Sequence, residues 1–135
     1  MVNKPIYLAA SLLGILSVIA IGASGTDDVF AQSDKVQASI VPGASTLTDT
    51  AYSPNPIEAT VGQTVVWTND DSAFHTVTSG IIGAPDAGKM FDSGLAGPTA
   101  LTAKGKTFEH TFDTAGEYPY FCTLHPAMVG TVIVK

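Results

Sequence analysis

From Val36 to the last residue, turn residues cut the sequence into short alternating segments, and no stretch keeps a helical period. That pattern admits an all-β fold, a sandwich or a barrel, and little else. Residues 36–41 alternate and stop at Pro42-Gly43, and residues 57–61 alternate and turn at Gly62. Gln63-Thr64-Val65-Val66-Trp67-Thr68 is β-branched and aromatic, with Trp67 and Val65 on one face, and Asn69-Asp70-Asp71-Ser72 ends it. His75-Thr76-Val77-Thr78 reads as a further short strand. Residues 106–112 alternate again and place Phe108, His110 and Phe112 on one face. Residues 117–121 are extended, although Pro119 confines them to an edge or a bulge. Thr131-Val132-Ile133-Val134 closes the chain. Residues 42–56 are rich in Thr, Ser, Pro and Gly and read as loop. Residues 79–100, with Gly80, Gly83, Gly88, Gly94, Gly97, Pro85 and Pro98, form the longest loop, with one short strand near Met90-Phe91-Asp92-Ser93.

The first 31 residues follow another rule. Lys4 gives a positive start, residues 6–23 run without a charge, and small residues precede candidate cleavage points after Gly25 and Ala31. This is the layout of a secretory signal peptide. The same stretch is just long enough to stay in a bilayer as a membrane anchor, most simply as a helix. Either outcome places residues 36–135, read as the functional domain, outside the cytoplasm: exported, in a periplasm or at the cell surface. The whole chain carries a net charge of −6 and no Arg. That argues against nucleic acid and against anionic membrane surfaces, and it is compatible with a basic partner protein.

There is a single cysteine, Cys122. Exported chains of this size often pair their cysteines, and one thiol cannot make an internal disulfide. Packing must therefore hold the fold, and the thiol must be buried, paired between chains or bound to metal. Its neighbours favour metal. In Tyr120-Phe121-Cys122-Thr123-Leu124-His125-Pro126-Ala127-Met128 a strand delivers Cys122, and a tight loop follows with His125 and Met128 at three-residue steps. A thiolate, an imidazole and a thioether this close together suit copper. A His2Cys plane with a weak axial Met is the blue-copper pattern. One loop supplies only part of that set, and His75 is the best candidate for the second imidazole.

These residues resemble the cupredoxin family, the plastocyanin, amicyanin and pseudoazurin group. The family's W-T-N-x-D followed by H-T-V is matched by Trp67-Thr68-Asn69-Asp70-Asp71 and His75-Thr76-Val77. Its A-G-x-Y-x-Y-x-C-x-x-H-P-x-M is matched by the run from Ala115 to Met128. The short C-x-x-H-x-x-M loop is similar to that of amicyanin. The resemblance covers roughly residues 36–135. It implies a Greek-key β-sandwich of about eight strands with one type 1 copper at one end. It implies metal ligation by His75, Cys122 and His125, with Met128 axial, and an apolar surface beside His125 through which electrons pass to redox partner proteins.

Zinc is the competing metal, but it prefers four firm ligands and a thioether is a poor one. His110 reads as packing on its strand, as do Tyr118 and Tyr120. Asn69 and the acids after it read first as turn formers, with Asn69 also a candidate to support the copper loop. The leading function is therefore a one-electron carrier rather than an enzyme. The rival is a single-copper catalyst with an open axial position, acting on a small molecule such as a nitrogen oxide. Copper storage fits poorly, because the chain has only three methionines.

Overall fold

Two four-stranded sheets face each other in the computed structural model, which describes residues 33–135. The leader or anchor expected at residues 1–31 lies outside the described residues. The strands are β1 (Lys35–Ile40), β2 (Tyr52–Ser53), β3 (Ile57–Ala59), β4 (Thr64–Asn69), β5 (Thr78–Ser79), β6 (Thr107–Thr111), β7 (Gly116–Phe121) and β8 (Val129–Val134). One sheet runs β2-β1-β4-β6 and the other β3-β8-β7-β5. β1 pairs in parallel with β4, and β3 with β8, while the other pairings are antiparallel. The expected all-β sandwich of eight strands is the observed one. Among the described residues, no helix is long and apolar enough to cross a membrane.

The period-two patterning decides which side chains fill the space between the sheets. On β6, Phe108 is buried while Thr107 and Glu109 are exposed, and on β8 Val132 and Val134 are buried. The centre of the core is aromatic. Trp67 is fully buried, stacks on Phe91 and Phe108 at 5.9 and 5.8 Å, and meets Tyr120 edge-on at 5.4 Å. Tyr120 in turn meets Tyr52 edge-on at 4.8 Å. Across β7 and β8 the register partner of Tyr120 is Gly130, and the tyrosine ring fills the space that a Cβ at Gly130 would need. His110 packs on Phe91 and Phe112, each at 4.9 Å, as its strand parity predicts.

Pro119 sits within β7, where β5 has already ended. Gly80 donates to the Pro119 carbonyl at 2.8 Å, so the missing N–H of Pro119 faces the side where no strand asks for it. The strand expected at His75-Thr76-Val77-Thr78 shortens to Thr78–Ser79. The backbone before it is spent elsewhere: Thr76 N–H goes to Cys122 Sγ, Val77 N–H to Ser93 Oγ, and His75 makes a lone bridge to Leu101. The strand expected near Met90-Ser93 reduces to one bridge, Thr78 to Asp92, flanked by backbone bonds from Ser79 to Phe91 and from Ser93 to Val77. The Thr/Pro-rich stretch before β3 contains a 3-10 turn at Ala44–Thr46 and the short β2 as well as loop.

Candidate metal centre

β4 and β7 run to the same end of the sandwich, and the loops that follow them meet there. β7 delivers Cys122 one residue past its end. The next residues turn back at once: Met128 N–H donates to the His125 carbonyl at 2.9 Å, and Cys122 N–H donates to the Met128 carbonyl at 3.2 Å. This seven-residue loop presents His125 half-exposed, and Met128 is fully buried in the same apolar cluster as Cys122. Pro126 and Ala127 stay exposed at its tip.

The other half of the site descends from β4. Asn69 ends that strand and holds the following loop in shape: its side-chain amide donates to the carbonyls of Ala73 (2.9 Å) and Leu101 (3.0 Å), and its Oδ1 accepts from Asp71 N–H at 3.0 Å. Leu101 also accepts from His75 N–H at 3.2 Å. The loop so fixed turns the His75 ring inward, where it is almost wholly buried.

The structure brings together three of the four residues that the sequence singles out. Cys122 Sγ lies 3.9 Å from His75 Nδ1 and 3.7 Å from His125 Nδ1, and all three atoms fall within 4.8 Å of one another. Metal bonds of about 2.3 Å to sulfur and about 2.0 Å to nitrogen, spread about 120° apart, set sulfur and nitrogen about 3.7 Å from each other. The two sulfur–nitrogen separations lie close to that figure. The donor set, one thiolate and two imidazoles, also fits copper. Met128 is buried beneath the same loop.

Electrostatics favour the charged, metal-binding form of the thiol. Burial alone would push the Cys122 thiol up, but hydrogen bonds with His75, Thr76 N–H and His125 outweigh it and lower its pKa to about 6. These contacts favour the ionised sulfur, the form that binds metal. His75 shows the other half of the same interaction. Burial works against its charged form, while its contacts with Cys122 and Asp71 more than offset this and raise its pKa.

Two residues that sequence reasoning passed over complete the site. Thr76 donates its N–H to Cys122 Sγ at 3.3 Å, while its Oγ1 accepts from Thr123 N–H at 2.8 Å and its carbonyl accepts from the buried Tyr52 hydroxyl at 2.7 Å. It ties the two loops together. Asp71 places Oδ2 2.7 Å from His75 Nε2, the ring nitrogen facing away from Cys122. The hydrogen bond from His75, and then that from Gly43 N–H, hold the Asp71 carboxyl below the usual range. The one available signal for Asp71 was its place four residues before the candidate histidine.

Residues 39–135 match the family model described as copper binding proteins, plastocyanin/azurin family. Amicyanin of Paracoccus versutus is 29% identical over 140 aligned positions, which cover 98% of this chain and 97% of that protein. Chloroplastic plastocyanin of Tetradesmus obliquus is 37% identical over 86 positions, 62% of this chain and 58% of that one. Among solved structures, a purple cupredoxin from Nitrosopumilus maritimus is 37% identical, with a TM-score of 0.62 over 74% of this chain and 99% of that one.

Proposed function

The chain belongs to the plastocyanin/azurin family of copper-binding proteins, and from that premise we propose that it carries single electrons between redox partner proteins outside the cytoplasm. The cofactor is one copper. His75, Cys122 and His125 would hold it, with Met128, buried under the same loop, as the fourth, axial donor of a type 1 site. Copper supplies the one-electron couple between Cu(II) and Cu(I). The chain's residues supply a site that needs little rearrangement between the two states. Residues 36–135 form the copper domain, and residues 1–31 direct export, by cleavage or as an anchor.

One observation carries the reading: a buried sulfur and two imidazole nitrogens converge at 3.7 and 3.9 Å, each fixed by backbone bonds of a rigid sandwich. Preorganised donors keep the barrier to electron exchange low. His125 is the half-exposed member, and exposed Phe74 (56%), Leu124 (42%), Pro126 and Ala127 belong to the two loops that bear the histidines. Electrons leave through that edge to a partner whose charge complements a net −6.

The test is voltammetry of the copper-loaded full chain, with titration by nitrite and azide. A carrier gives one reversible one-electron wave and a visible spectrum that neither anion shifts. A spectrum that moves on titration, together with turnover of a nitrogen oxide, assigns the chain to the open-site catalyst instead.

A further inference from the structure

We infer that Asp71 is a positioning residue for the metal ligand His75, fixing its tautomer and its ring plane and favouring the oxidised copper. The inference rests on the reading of His75, Cys122 and His125 as the copper ligands. An ionised carboxylate can only accept hydrogen bonds, so the 2.7 Å contact from Asp71 Oδ2 requires the proton of His75 to sit on Nε2. In the neutral ring that a metal would take, the lone pair is then on Nδ1, the nitrogen 3.9 Å from Cys122 Sγ. One contact thus selects the nitrogen that faces the thiolate.

The carboxylate is itself anchored. Its Oδ1 accepts from Gly43 N–H at 3.1 Å and from Ser72 N–H at 2.9 Å, and its own N–H is held by Asn69 Oδ1 at 3.0 Å. Gly43 stands in the left-handed conformation (φ 77°) at the turn that follows β1, so His75 is braced against a second loop as well as its own. Asp71 is buried, so water screens little of its negative charge. A fixed negative charge one imidazole away from the metal stabilises the 2+ state more than the 1+ state. Outer partners of this kind orient ligating histidines and raise their basicity. The neighbouring Asp70 offers an internal contrast: its carboxylate accepts from Ser39 Oγ and is half-exposed.

The experiment compares Asp71→Ala, Asp71→Asn and Asp70→Asn in the copper-loaded full chain. Cu(II) and Cu(I) affinities are measured by chelator competition, along with the midpoint potential and the electron-spin spectrum. Both Asp71 variants are expected to lose about 10–100-fold in Cu(II) affinity and less in Cu(I) affinity. Each tenfold fall in the ratio of the two raises the potential by about 59 mV. Asp70→Asn removes the same charge one residue away and is expected to move affinity by less than about threefold. Melting of the metal-free variants reports folding separately, and Asp71→Asn keeps the side-chain shape if Asp71→Ala does not fold. Asp71 variants no different from Asp70→Asn in affinity and potential would overturn the inference. A visible copper band that survives Cys122→Ser would overturn the underlying site instead.

Discussion

Cys122→Ser is expected to abolish the intense visible absorption of the copper-loaded protein outright and to strip the site of its preference for copper. The effect is electronic rather than steric. The band requires a thiolate sulfur bonded to the metal, and a serine hydroxyl neither ionises near neutral pH nor offers a soft donor. His75, Thr76 N–H and His125 surround Cys122, and those groups favour its ionised form by lowering its pKa to about 6. They have no comparable hold on a hydroxyl, so the loss of Cu(I) affinity exceeds the 10–100-fold typical of changes one layer further out. The side chain is fully buried, and oxygen is smaller than sulfur, so the fold persists with at most a small void. Unchanged melting of the metal-free variant, beside the vanished band, separates ligation from folding.

Trp67→Ala acts on the other layer. Trp67 sits on β4 between Phe91, Phe108 and Tyr120, and it heads the fully buried side chains by volume. Removing such a ring costs about 3–5 kcal/mol, against a total stability of about 5–15 kcal/mol for a domain of this kind. The chain has no disulfide to share the loss, since Cys122 is its one cysteine. Urea unfolding of the metal-free full chain measures the change, because bound copper would mask it by mass action. Trp67→Phe is expected to lose less than half as much. A Trp67→Ala loss below about 1.5 kcal/mol would mean that the core is held elsewhere.

The sequence made legible what is local or strictly periodic. Cys122, His125 and Met128 lie within one short loop, so the chemistry of that loop is readable without knowing the fold. His75 became readable because a strand pattern ends just before it. Alternation revealed β4, β6 and β8, since one face of each fills the space between the sheets. What stayed hidden depends on distant partners. A carboxylate after a strand end is a turn former by default, and Asp71 becomes more only because Gly43 and His75 meet it in space. Tyr52 stands in a Thr/Pro-rich stretch, yet its buried hydroxyl holds the Thr76 carbonyl beside the sulfur. The parallel pairing of β1 with β4, and the shortening of the strand at His75, follow from hydrogen bonds that no local pattern encodes.

On the proposed reading, the thiolate of Cys122 and the imidazoles of His75 and His125 together hold one copper. The visible and electron-spin spectra of the copper-loaded full chain test it most directly. The expected result is an intense thiolate-to-copper band, one copper per chain, and the small hyperfine splitting of a thiolate-bound type 1 site. A copper signal without that band, with the wide splitting of a site made only of nitrogen and oxygen donors, would contradict it.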